Sequence, residues 1–214
     1  MDASRRQLLG LAAMAPVASA LLPGNALAAD DPEAVARDTI RRRHFPDVIL
    51  RTQDNEKVRF YQDLIKDKVV TINFFFSKCD EICPRVTANL TKVQKLLGDR
   101  VGREIFMNSI TLKPKEDSPA ALKQFAKMHR VGPGWKFLTG KSEDIELLRR
   151  SLGFTDPDPR RDQDLNQHIG NVRYGNERLM LWAACPGLAN ARFIVESISW
   201  VMPPNDKQRI TRGT

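Results

Sequence analysis

The chain has 214 residues, 42% of them hydrophobic and 28% charged, a composition that fits one globular domain and excludes a collagenous, mucin-like or wholly disordered protein. A domain of this size can bury roughly 70% of its unfolded surface without covalent staples, so disulfides are not required for folding. The formal net charge of +8 favours acidic partners or an anionic membrane face, but the basic residues are interspersed with acids and form no nucleic-acid-binding stripe.

The chain opens with Ser4-Arg5-Arg6-Gln7-Leu8-Leu9, continues through a weakly apolar stretch from Leu8 to Leu22, and reaches Ala26-Leu27-Ala28 before Ala29-Asp30. This is the layout of a cleaved signal peptide over residues 1–28, and the paired arginines followed by leucines resemble the twin-arginine export signal. A membrane-spanning helix needs about 20 apolar residues; this stretch is shorter and is interrupted by Pro16 and Pro23. The expectation is a soluble mature protein in the periplasm, an oxidising space in which free thiols depend on reducing partners.

Residues 29–44 are polar, include Arg41-Arg42-Arg43, and read as a flexible arm. Val48-Ile49-Leu50 and Val58-Arg59-Phe60 flank Gln53-Asp54-Asn55-Glu56, which predicts an N-terminal hairpin with a residue of positive φ in its turn. The run Val69 to Phe76 is β-branched and aromatic, as expected of a central strand covered on both faces. Val86, Leu90, Val93 and Leu97 recur at helical spacing, with Gly98 as terminator. A strand is predicted over Ile105 to Leu112, and Ser118-Pro119 caps a helix with Leu122, Phe125, Ala126 and His129 on one face. Trp135 to Gly140 predicts another strand, and Ser142 caps a helix carrying Ile145, Leu148 and Leu152.

From Thr155 to Gln167 the chain is polar and reads as a mobile loop. Ile169 to Tyr174 and Glu177 to Trp182 flank Gly175-Asn176 as a second hairpin. A last helix runs from about Ala189 to Val201, with a frayed tail over 203–214. Strands alternating with helices give an α/β sheet, and no internal repeat or domain linker interrupts it.

Cys79-Asp80-Glu81-Ile82-Cys83-Pro84 follows the central strand and opens a helix. Proline at the first helical position would put Cys83 at the helix N-terminus, where orphan amides and the dipole favour a thiolate, with Cys79 one turn back. The two sulfurs could then form a disulfide, grip one soft ion such as Cu(I) or Zn(II), or remain buried and structural. Their place at the carboxyl end of a strand, where ligands of open α/β sheets gather, favours a functional pair. Asp80 and Glu81 would raise the thiol pKa values and attract a cation.

Phe74-Phe75-Phe76-Ser77-Lys78-Cys79 with Cys83-Pro84-Arg85, then Lys113-Pro114-Lys115-Glu116-Asp117-Ser118-Pro119, then Trp135-Lys136-Phe137-Leu138-Thr139-Gly140 resemble the Sco/SenC family in order and spacing. The resemblance covers roughly residues 45–175 and implies a thioredoxin-like fold, a central mixed sheet flanked by helices, with the domain expected over residues 45–202. It also implies that Cys79, Cys83 and His168 bind copper and that the protein helps to assemble the copper centre of cytochrome oxidase. Its implied partners are a copper-accepting oxidase subunit and periplasmic thiol reductants. The family usually carries Asp where Lys113 and Gln167 stand, so this chain has less negative charge near the expected centre.

Two functional classes follow: a metallochaperone, which needs Cys79, Cys83 and His168, and a thiol-disulfide oxidoreductase, which needs only the cysteines. Lys113 would favour thiolate formation and the second class. A thiol peroxidase is weaker, since nothing in the sequence marks a peroxide pocket. His129 reads as a core histidine, His44 as solvated, and Cys185 as a buried, unreactive thiol.

Overall fold

The computed structural model describes residues 32–79, 81–165 and 170–203. The expected signal peptide over 1–28, the tail beyond Pro203, and Asp80, Gln167 and His168 lie outside the described residues.

The strands are β1 (Ile49–Thr52), β2 (Lys57–Arg59), β3 (Val69–Phe75), β4 (Ile105–Thr111), β5 (Trp135–Gly140), β6 (Asn171–Asn176) and β7 (Leu181–Pro186). They form one sheet in the order β2-β1-β5-β4-β3-β6-β7. β3, β4 and β5 run parallel, and the other pairs are antiparallel, so the sheet is mixed. The helices are α1 (Pro32–His44), α2 (Ile82–Leu97), α3 (Pro119–Met128), α4 (Ser142–Ser151), α5 (Pro159–Gln163) and α6 (Ala191–Ser199). No helix among the described residues is long and apolar enough to cross a membrane.

The mostly apolar run of β3 has the consequence its sequence predicts: all seven residues are buried between β4 and β6. Strand alternation sends Phe75 against Phe125 and Phe137 on one side and Phe74 against Phe154 on the other. The polar side chains that share this core are paired, as low dielectric demands. Trp135 Nε1–H donates to Ser109 Oγ at 2.9 Å, and that hydroxyl donates to Asn73 Oδ1 at 2.7 Å. Ser118 caps α3 as expected, accepting from the Ala121 amide at 3.3 Å, whereas Ser142 is the first residue of α4 and Lys141 takes the N-cap position. Asn55 supplies the positive φ, 62°, in the β1–β2 turn.

Three segments differ from expectation. The stretch predicted as a flexible arm is helical from Pro32 to His44. Arg41 pairs with the buried Glu177 at 2.8 Å, and Phe45 packs on Trp182 with ring centroids 4.7 Å apart. Glu177 also accepts from the Tyr61 hydroxyl at 3.0 Å and the Asp67 amide at 2.9 Å. Burial, with the Glu177 carboxylate beside it, pushes the Tyr61 hydroxyl up to about 12. Tyr61 belongs to a single π-helical turn, Phe60–Ile65, for which the sequence carries no recognised signal.

The loop predicted as mobile contains α5, capped by Asp158, and Asp162 meets the buried Arg149 guanidinium at 2.8 Å. Burying Arg149 demands such acceptors, and they tie this segment to α4. In the second hairpin, Gly175 and Asn176 are in β6, and the turn falls at residues 177–180. Gly175 serves packing here: a Cβ would sit 2.2 Å from Trp182 Cε3 and 2.7 Å from the Leu181 carbonyl oxygen. Gly175→Ala should therefore destabilise the protein by about 1–3 kcal/mol, the range for overpacking a core, seen as a lower urea midpoint with little change in slope.

Candidate metal centre

The centre is built where β3 ends. The chain leaves a fully buried strand at Phe75 and enters α2 at Ile82, and a buried carboxylate shapes the turn between them. Asp117, 1% exposed, accepts the Ser77 amide at 3.1 Å and the hydroxyls of Ser77 and Thr111. The Cys79 amide then closes a turn onto the Phe76 carbonyl at 3.3 Å. Asp117 lies in the Lys113 to Pro119 motif, but no periodicity or spacing marks it as the anchor of a loop forty residues earlier. Only the parallel pairing of β3 with β4, with Phe75 opposite Thr111, brings the two together.

Cys79 and Cys83 are adjacent, buried, free thiols; the Cys83 amide points at Cys79 Sγ with an N···S distance of 3.4 Å. The helix begins at Ile82, so Pro84 is its third residue and not its first. Its missing N–H still costs nothing there, because the first four helix amides have no intrahelical partner. The roles of the two cysteines are reversed from the sequence reading. Burial would raise Cys79, but the amide and thiol of Cys83 and the amides of Glu81 and Ile82 outweigh it and lower its pKa. Burial pushes Cys83 up to about 12, reinforced by Cys79 and by the Asp117 charge. The helix N-terminus thus favours a thiolate on Cys79, the residue just outside it.

The Lys113 ammonium lies 4.3 Å from the centre of the Phe76 ring and 3.9 Å from Glu116. His129 is half-buried at the end of α3, its ring 4.3 Å from Phe125, and burial lowers its pKa; it is not a ligand of this centre. His44 is exposed. Cys185 is buried in β7 opposite Val172, and burial pushes it up to about 11, which fits an unreactive thiol. Among the described residues no third His, Cys, Asp or Glu joins the cysteine pair to form a metal cluster.

The described flank of the expected histidine segment is close to the pair. Gly170 has a φ of +107°, and a Cβ there would meet Ile82 Cδ1 at 3.0 Å, so the backbone packs directly on the residue preceding Cys83. The Gly170 carbonyl accepts the Gly187 amide. Asn89 of α2 donates to the carbonyls of Gly187 and Ala189 at 2.8 and 2.7 Å, fastening the helix that carries Cys83 to the β6–β7 end.

A cysteine pair spanning the junction of a central parallel strand and its following helix defines a thioredoxin-like protein whose centre can exchange electrons or hold a soft ion. The SCO1/SenC family profile matches residues 50–202, and the chain belongs to that family. Over 94 residues it is 33% identical to the SCO1 protein homolog of Bacillus subtilis, covering 44% of this chain and about half, 47%, of that relative. BsSco, a member of the Sco family of cytochrome c oxidase assembly proteins in whose structure a disulfide switch was identified, superposes with a TM-score of 0.58 at 26% identity, covering 72% of this chain and 90% of its own. Yeast Sco1 with copper bound superposes with a TM-score of 0.56 at 20% identity, covering 76% and 96%.

The thiol asymmetry has a direct chemical readout. In the reduced native protein, iodoacetamide should label Cys79 first, because the thiolate is the nucleophile and its pKa is the lowered one. Raising the pH should speed labelling of Cys79 at values well below those needed by Cys83. Peptide mass spectrometry across a pH series checks the order; Cys185 should remain unlabelled until the protein unfolds.

Proposed function

We propose that this protein is an exported copper metallochaperone in which Cys79, Cys83 and His168 hold the ion and pass it by ligand exchange to a copper-accepting protein, an oxidase subunit being the best candidate. The observation that carries this reading is the pair of adjacent thiols at the β3–α2 junction, soft donors poised for a soft ion. Membership of a family that includes copper-bound and oxidase-assembly members supports it. So does the contact of Gly170 with Ile82. His168 precedes Gly170 by two residues in the chain. An imidazole entering from there would complete a three-coordinate centre. Copper is cargo in this scheme, and the protein's own part is to offer the thiols, order the loop through Asp117 and hold β6 against α2.

A specific observation favours a second reading, thiol-disulfide exchange: one cysteine has a lowered and the other a raised pKa. The Cys79 thiolate would attack a target disulfide, forming a mixed disulfide and expelling one target thiolate, which takes up a proton. Cys83 would then lose its proton and attack Cys79 sulfur. The target leaves as a dithiol, reduced by two electrons, and a Cys79–Cys83 disulfide remains for a periplasmic thiol reductant to restore.

Competition of the reduced protein against a calibrated Cu(I) chelator, run beside a disulfide-reduction assay, separates the two readings. The metallochaperone reading expects His168→Ala to weaken copper binding by roughly tenfold or more while leaving disulfide reduction nearly intact. Either cysteine replaced by Ser should abolish both. Equal copper affinity in parent and His168→Ala would remove the histidine from the centre and favour the reductase. Export is read from the paired arginines: replacing Arg5 and Arg6 together with Lys should leave the precursor in the cytoplasm, as shown by fractionation, whereas normal periplasmic accumulation would overturn the twin-arginine route.

A further inference from the structure

At the opposite end of the sheet from the cysteines is an open cavity of about 480 Å³, within the range of small-molecule sites. Its lining includes Lys68, which immediately precedes β3, whereas the cysteine loop follows β3; seven residues of strand separate the two by about 20 Å. Copper handling as described above does not use it.

The cavity contains a polar group that the fold leaves unanswered. Asn108, in the middle of β4, is 1% exposed and lines the cavity, yet its carboxamide makes no hydrogen bond among the described residues, and its Nδ2 is fully enclosed. Its neighbour Ser109, pointing to the other face of the same strand, both accepts from Trp135 and donates to Asn73. A buried amide without a partner is costly, and such a group at a cavity wall points to a ligand that supplies the missing acceptor or donor.

The surroundings define the rest of that ligand. Leu64, Val101, Phe106 and Pro133 give apolar walls. Gly102 and Gly134, with φ of +89° and +82°, pack backbone to backbone, and a Cβ on Gly134 would lie 2.5 Å from the Gly102 nitrogen. This contact fixes the wall that carries Val101 and Pro133. The charged residues divide into satisfied and available groups. Arg103 pairs with Asp99 at 3.2 Å, and Asp63 accepts the Arg59 amide at 2.7 Å. Lys136, directly opposite Asn108 in the β4–β5 register, approaches Glu56 only to 3.9 Å. Lys68 lies 5.7 Å from the Phe106 ring centre and 3.4 Å from the Lys66 carbonyl, and has no carboxylate partner among the described residues.

We propose that this cavity binds a small amphipathic organic anion: an apolar ring system against Phe106 and its neighbours, a carboxylate at the Lys68 and Lys136 rim, and a hydroxyl or carbonyl paired with the Asn108 carboxamide. The site is independent of the cysteine centre.

The test uses 6-hydroxy-2-naphthoate as probe, titrated into the reduced full chain and followed by ¹H–¹⁵N correlation spectra. Saturable shifts are expected in the Asn108 side-chain NH₂ and in the amides of Gly102, Phe106 and Gly134, with Cys79 and Cys83 unmoved. The methyl ester of the probe, lacking the charge, and 2-naphthoate, lacking the hydroxyl, should each bind more weakly, by roughly tenfold for the missing polar pairing. Asn108→Leu should reduce the hydroxylated probe to the affinity of 2-naphthoate. Because a core substitution can disturb folding, the surface double variant Lys68→Gln with Lys136→Gln provides a second arm and should weaken both acids while leaving the ester unaffected. Absence of saturable shifts at the cavity amides, shifts confined to the cysteine loop, or affinities unchanged in both variants would overturn the proposal.

Discussion

The aim of the first-turn amides of α2 at Cys79 Sγ is the constraint on which the chemistry of this protein depends. It exists only because the chain leaves a strand buried on both faces and starts a helix seven residues later. The turn that accomplishes this has little room, and Asp117 holds it from the neighbouring strand end through the Ser77 amide and two hydroxyls. A carboxylate this buried is tolerated because each interaction it makes is a hydrogen bond to a charged acceptor, roughly twice as strong as a neutral one. The same charge helps to keep Cys83 protonated, so one side chain orders the loop and differentiates the two thiols.

That differentiation bears on both functional readings. A metal centre needs two sulfurs close together, and exchange chemistry needs one to be reactive and the other held in reserve; the β3–α2 junction provides both conditions with the same atoms. What separates the readings is the third ligand, and therefore the mechanical coupling of β6 to α2. Asn89, Gly187, Gly170 and Ile82 make that coupling a chain of direct contacts, in which two glycines allow backbone to approach where any side chain would intrude.

At the β6–β7 turn a second buried carboxylate, Glu177, gathers Arg41, Tyr61 and the Asp67 amide. It joins α1, the π-helical turn and the second hairpin, segments distant in sequence, and thereby orders the flank of the sheet carrying β6. The two buried acids are thus the fixed points of the site's framework, Asp117 at the cysteine end of β3 and Glu177 beyond its start.

Local side-chain pattern is enough to define the strands and helices whose apolar periodicity is strong: the buried run of β3, the α2 stripe from Val86 to Leu97, the Ser118 cap of α3, and the place of the cysteine pair between strand and helix. These are local properties, set by side-chain spacing and by the backbone preferences of Gly, Pro and Asn. Family resemblance added the identity of the domain and a candidate third ligand, His168. Packing across the fold settles which cysteine receives the helix amides, where Lys113 directs its charge, and that Asp117 and Glu177 are anchors. It also decided that the polar stretches at 32–44 and 159–163 are helices, because their charged residues find buried partners in Glu177 and Arg149. Electrostatics and polar satisfaction depend on neighbours brought together across the sheet, and such neighbours have no period in the sequence from which to be read.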